Sequence, residues 1–234
     1  MKKAWLVVFL GLGLVALSAC TSNWSMRSEG EDKEQAGMNI APTVSTEVEV
    51  EAGNAETQAI ALVDGSYQVD VANSKLTWQA AKIVGSGHAG TAPIKSGFLR
   101  VAGGSLVGGE FVLDVSALES DEDIDGLEKH LKSADFFDVE TYPEAKLVIT
   151  SVQADGATGK YNVTADLTIK GITAPINFQA ELSQTDTQLL AATAFSVDRT
   201  IWGLQYNSGK FFQDLGDKAI KDDITFGVSL SANR

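Results

Sequence analysis

The chain has 234 residues, a formal net charge of −13 and 44% hydrophobic residues. That length allows one or two domains with an ordinary apolar content. So acidic a chain is repelled by nucleic acid and by anionic lipid, which argues against nucleic-acid binding and leaves a covalent anchor or apolar contact as routes to a membrane.

Met1-Lys2-Lys3 is a basic start, and Ala4 to Leu17 is an apolar run too short for an ordinary membrane span. Leu17-Ser18-Ala19-Cys20 resembles a bacterial lipobox. The resemblance implies a signal peptide over residues 1–19 and lipid on the sulfur and amino group of Cys20. This is the one cysteine of the chain, so no disulfide framework is available. Thr21, where an Asp would retain a lipoprotein at the inner membrane, implies a cell-envelope lipoprotein at the outer membrane, facing the periplasm.

Residues 20–64 read as an acidic linker. From Thr21 to Asp64 there are nine acidic residues against Arg27 and Lys33, and Trp24 is the one aromatic. So little apolar surface does not offset the entropy of ordering, which predicts disorder. A flexible chain of this length spans roughly 35–40 Å root-mean-square.

From Gly65 to Arg234 the pattern has period two, the mark of strands with one buried face. Lys75 to Lys82 puts Leu76, Trp78 and Ala80 on one side. Ile94 to Arg100 sets Ile94, Ser96 and Phe98 against Lys95, Gly97 and Leu99. Ser105 to Val115 aligns Phe111, Leu113 and Val115, and Gly108-Gly109 predicts a bulge or bend.

Asp125 to Leu147 breaks the pattern. Asp125 and Glu128 have capping-box spacing. Leu127, His130, Leu131 and Ala134 then share one face of a helix of about three turns. Asp135-Phe136-Phe137-Asp138 ends it, and Tyr142-Pro143 demands extended backbone. The predicted arrangement is a helix and aromatic flap across the mouth of a barrel. His130 reads first as a buried histidine bonded to a main-chain carbonyl. Contact with a ligand head group, and then catalysis or metal binding, are the alternatives.

Strands resume at Ala145 to Val152, with Leu147, Ile149 and Ser151 in phase. Tyr161 to Ile169 and Ile176 to Leu182 form an antiparallel hairpin about a turn over Lys170 to Pro175. Leu189 to Val197 and Ile224 to Leu230 follow. Seven or eight hairpin-linked strands predict an all-β up-and-down barrel or sandwich. Closure removes exposed edges, and eight strands leave room for side chains or one small ligand. Trp78, Phe98, Phe111, Phe178 and Phe195 alternate with Ala80, Ala165, Ala180 and Ala194. That mixture suits either a ligand space or a solid core.

His88, His130 and Cys20 make no metal-ligand cluster, and no nucleophile-elbow, zinc-protease, P-loop or dinucleotide motif is present. Four segments carry a resemblance instead: WQAAKIVGSGHAG (Trp78 to Gly90), HLKSADFFDVETYP (His130 to Pro143), LTIKGITAP (Leu167 to Pro175) and DRTIWG (Asp198 to Gly203). In this order, spread over residues 66–232, they resemble the YceI-like family of bacterial lipid-binding barrels.

The resemblance implies an antiparallel eight-stranded lipocalin-like barrel with one short helix and a flap over the mouth. It implies a non-enzymatic protein that binds, stores or transports an isoprenoid-type lipid of the polyprenol or quinone class, with no cofactor. The expected contacts on the strands are Trp78, Phe98, Phe111, Leu113, Phe178 and Phe195. Those on the helix and flap are Leu127, His130, Leu131, Phe136 and Phe137, and Arg199 and Trp202 lie on the late strand and turn. A forty-carbon chain, at about 0.3 kcal/mol per heavy atom, gains roughly 12 kcal/mol, ample for retention. An interaction module with a solid barrel, or an enzyme built on His130 and Arg199, are the rival readings.

Overall fold

A computed structural model describes residues 61–156 and 159–234. Cys20, the expected signal peptide and nearly all of the expected acidic linker lie outside the described residues. The linker's last residues already belong to the folded part. Leu62 is buried and donates its N–H to Gly104 O, and the Asp64 carboxylate accepts from the N–H groups of Gly103 and Gly104.

The strands are β1 (Gly65–Val69), β2 (Lys75–Lys82), β3 (Gly87–Thr91), β4 (Ile94–Ala102), β5 (Ser105–Asp114) and β6 (Glu119–Ser120). After helix α1 (Leu127–Lys132) come β7 (Glu144–Ala154), β8 (Lys160–Ile169), β9 (Ile172–Gln184), β10 (Gln188–Asp198) and β11 (Ile220–Asn233). All strand pairings are antiparallel. Eight strands close a barrel in the order β1-β4-β5-β7-β8-β9-β10-β11, with β11 returning to β1. The fold is therefore all-β with one short helix, as the alternation predicts.

β11 is long enough to pair twice on one edge. Its far end meets β1 at Ala232 and Asn233, and its earlier part meets β2 from Ile220 to Ser229. β2 then carries β3 and β6 as a flange beside the barrel. Sequence alternation missed β1, β3 and β6 because each is five residues or fewer, and β3 is rich in glycine.

The β8–β9 hairpin turns on Lys170 and Gly171, both at positive φ (49° and 72°), with Ile169 opposite Ile172. That is the geometry a two-residue hairpin loop requires, and it suits glycine at the second position. This turn, α1 and its flap, and the 3-10 helix Arg199–Trp202 all lie at one end of the barrel. The β9–β10 and β4–β5 turns lie at the other.

Two bulges and one helix end change which residues face inward. In β4, Ile94 pairs with Leu113 but Ser96 pairs with Val112, so Lys95 is an extra residue and the facing pattern slips by one. Leu99 and Val101 are buried, and Phe98 is turned away from the interior, against expectation. In β7 a slip between Ile149 and Ser151 sends Ser151 outward and brings Val152 onto the core. The bulge expected at Gly108-Gly109 is present one residue earlier: Val107 has no partner between Leu106 and Gly108.

Helix α1 has six residues, not three turns. Its N-cap is Gly126 at φ 79°, and no side chain caps it. The expected capping box does not form, because Glu128 Oε1 accepts instead from Ser120 N–H at 3.0 Å, tying the helix to β6. Ser133 stops the helix: its hydroxyl donates to His130 O, and the chain reverses through Phe137 N–H to Leu131 O and Val139 N–H to Lys132 O.

Candidate functional site

The barrel is not filled by its own side chains. It encloses a cavity of about 160 Å3. Of the residues lining it, all but Thr193 and Arg199 are apolar. Two buried clusters border this space. One, with Tyr67, Leu99, Leu106 and Leu189, packs towards the β9–β10 turn. The other, with Leu167, Ile169, Trp202 and Leu204, packs under the flap.

The strands supply the cavity wall by alternation. Trp78 on β2, Phe111 and Leu113 on β5, Leu147 on β7, Phe178 on β9 and Phe195 on β10 all line it. Phe178 and Phe195 stack with ring centroids 4.8 Å apart and planes 20° apart, and Phe195 continues to Phe226 at 5.6 Å. Offset ring pairs of this kind add about 0.5–1.5 kcal/mol beyond burial. Phe226 belongs to the inward face of Ile224 to Leu230 and was legible as such, yet it was not among the expected contacts. Ala194, grouped with the inward small residues by sequence, is exposed on the outer face.

The helix and flap contribute Leu131, Phe136 and Phe137 to the wall. Leu127 and His130 do not line it. The His130 side chain is 37% exposed, and its Nε2 lies 3.1 Å from Asp135 Oδ2. It is not the buried histidine bonded to a carbonyl that its helix face suggested, because the helix ends three residues later and the ring lies at the rim. There it packs edge-on against Phe136 (5.1 Å) and Tyr206 (4.7 Å), and Phe136 meets Tyr206 at 5.2 Å. Tyr206 pins the flap to the loop before β11. It sits in a stretch without periodicity, so no sequence signal marked it.

Arg199 is 1% exposed. Its Nε donates to Lys221 O at 3.1 Å, Nη1 to Leu204 O, and Nη2 to Ile220 O at 3.3 Å, with Asp222 Oδ1 3.5 Å away. Burial pulls its pKa below the ordinary arginine value, opposed by Asp222 and then Asp198. With its nitrogens so engaged, Arg199 presents only its stem to the cavity. Asp198 caps the 3-10 helix through Thr200 N–H and Oγ1, and it holds Lys210, which also reaches Asp222. Burial would raise the Asp198 pKa, but the bonds from Lys210 and Thr200 outweigh it and hold it low.

Trp202, also 1% exposed, is not in the cavity wall. Its indole N–H donates to Leu167 O at 2.9 Å, which makes it part of the packing beneath the flap. Among the described residues, no group of His, Cys, Asp and Glu is arranged to hold a metal ion.

An antiparallel eight-stranded barrel around an apolar chamber, with a short helix and flap at one end, places the protein in the lipocalin-like class of architecture. A family profile, the YceI-like domain, matches residues 67–232, and the chain belongs to that family. The chain is 51% identical over 55 residues to a UPF0312 protein of Photorhabdus laumondii, and 44% identical over 55 residues to protein YceI of Escherichia coli O157:H7. In each case the match covers 24% of this chain and 28% of the relative's length. Among solved structures, Burkholderia cenocepacia BcnA superposes with a TM-score of 0.59 at 20% identity, covering 70% of this chain and 99% of that one. A polyisoprenoid binding domain from Saccharophagus degradans, implicated in plant cell wall breakdown, gives 0.57 at 16% identity over 71% and 97%.

Proposed function

We propose that the barrel binds and holds an isoprenoid-type lipid of the polyprenol or quinone class, without catalysing a reaction on it, at the bacterial cell envelope. The observation that carries this reading is the apolar chamber, whose one charged wall residue, Arg199, has its head group turned into main-chain carbonyls. Such a wall offers nothing to a polar ligand and disfavours a charged one. Membership of the YceI-like family, and the polyisoprenoid binding domain among the structural neighbours, support the ligand class. Lipid on Cys20 would keep the barrel tethered near its membrane.

A chamber of about 160 Å3 is smaller than the roughly 300–1,000 Å3 usual for ligand sites. A long chain is therefore accommodated by displacement of half-buried rings, with Phe136, Phe137, Phe178, Phe195 and Phe226 the available ones. His130 and Arg199 do not form a catalytic pair: His130 is turned to Asp135 at the rim, and Arg199 is consumed by structural bonds.

The test is organic extraction and mass spectrometry of the purified chain, alongside reloading with ubiquinone and undecaprenol. A co-purifying isoprenoid near one per chain is expected, with much less in Ala191→Trp, which puts an indole into the chamber. A chain that arrives empty and takes up neither lipid overturns the reading.

A further inference from the structure

The barrel wall is not continuous. β9 and β10 pair only from Leu189–Gln184 to Thr193–Ala180. Beyond that rung β9 continues to Ile172 and β10 continues to Asp198, each bonded on its other side to β8 or β11 but not to one another. Thr185 N–H donates to Gln188 O, so by antiparallel alternation the odd-numbered residues of β9 aim their main chain at β10. Pro175 is one of them and has no N–H to offer, which suits an unpaired edge. Thr193 Oγ1 donates to Gln179 O at 2.6 Å, a single side-chain stitch at the base of the split. Above it, the Phe178–Phe195 ring stack stands in the wall where ladder bonds are missing.

A groove of about 310 Å3 lies on the outside at this base. Three of the residues bordering it, Ala180, Thr193 and Val228, also line the interior chamber. Residues of both sheet faces thus meet one groove, and the partition between outside and chamber there is made of small side chains. The outer border is polar: Gln179 stands beside a Lys160–Glu181 ion pair of 3.2 Å.

We propose that the β9–β10 seam is a side opening of the chamber through which the apolar chain of a single-headed amphiphile is threaded. The Phe178–Phe195 stack yields to the chain. The compact polar head stays outside against Gln179 and the Lys160–Glu181 pair, which supply both donors and acceptors. This rests on the proposed lipid-binding reading and adds the route and orientation of the ligand. It moves the opening from the helical flap, where Phe136 is clasped by His130 and Tyr206, to a wall that lacks main-chain bonds.

The experiment follows uptake and release of dansylated farnesylamine by fluorescence, with the full chain. Ala194→Trp places a ring in the outer groove from an exposed strand position that tolerates aromatics. Uptake and release at least tenfold slower is the expected result. Loading at the wild-type rate overturns the seam while leaving the chamber reading intact. Thr193→Val removes the stitch without changing shape, and about threefold faster exchange is expected; an unchanged rate counts against the seam even where Ala194→Trp fails to fold. A wild-type chain that takes up no probe removes the lipid-binding reading, and the seam falls with it.

Discussion

The Trp202 indole N–H reaches the main-chain oxygen of Leu167 across 2.9 Å, joining the 3-10 helix after β10 to the middle of the β8–β9 hairpin. The bond spans the barrel end, above the stretch where β9 and β10 do not pair. Trp202→Phe removes it and part of the ring volume. A loss of roughly 2–4 kcal/mol is expected from the unmade bond and the space left behind. Urea unfolding followed by circular dichroism measures it, and a loss below about 1 kcal/mol would deny Trp202 a structural role.

Arg199 closes the same end from the other side. Three carbonyls and Asp222 depend on its guanidinium. Arg199→Met takes the guanidinium bonds from the buried Leu204 oxygen and the half-buried Ile220 and Lys221 oxygens and removes one of the two cations beside Asp222, a loss of about 3–5 kcal/mol. Arg199→Lys is expected to recover little, because an ammonium on a flexible stem cannot span acceptors that the planar fork reaches together. Thermal melts of both variants check this. Near-wild-type stability of the Lys variant would contradict it.

These two residues also mark where sequence reading stops. DRTIWG carries part of the family resemblance, but alternation cannot say whether Arg199 and Trp202 face a ligand or the scaffold. Their role depends on carbonyls of Leu167, Leu204, Ile220 and Lys221, which come within reach of the two side chains only on folding. The turn is shorter than the expected Lys170 to Pro175, with Ile172 to Pro175 inside β9, yet the β8–β9 pairing was legible, since Tyr161 to Ile169 alternates without interruption. Phe98 was not, because one extra residue at Lys95 reverses every face after it. Leu127 and His130 were misplaced although both lie on α1, because that six-residue helix turns only Leu131 to the chamber before Ser133 ends it by donating its hydroxyl to His130 O. The seam left no trace in the pattern, because alternation reports which face is buried and not which edge is bonded.

Acid is expected to loosen the fold through carboxylates in loops and at strand ends. Asp114 is held below the usual aspartate value first by the Ser116 hydroxyl, aided by the N–H groups of Ala117 and Ser116. Asp64 is held low by Gly104 and Gly103, and Glu122 by Ser120 and then Ala89. A carboxylate depressed by folding contributes stability above its unfolded pKa of about 3.9–4.3, and that stability is lost as pH falls through the folded value. The urea midpoint should therefore vary little from these groups between pH 5 and 7 and decline below about pH 4. Asp114→Asn should be less stable than wild type at pH 6 and show a shallower decline. A parallel decline in both proteins would remove Asp114 from the account.

Gly90 is the tightest point of the flange beside the barrel. A Cβ there would lie 2.0 Å from Glu119 O and 2.7 Å from the Trp78 ring. The same Glu119 oxygen accepts the Trp78 indole N–H at 3.3 Å, and Trp78 is one wall of the chamber. A side chain at position 90 cannot be relieved by rotating a flexible neighbour, since the obstacle is main chain. Gly90→Ala is thus expected to push β6 off β3, break the Trp78–Glu119 bond and cost about 1–3 kcal/mol. Trp78 should move towards water, giving a red-shifted emission difference that a Trp78→Phe background abolishes. Emission and stability both unchanged would mean that β3 and β6 do not hold Trp78 in the wall.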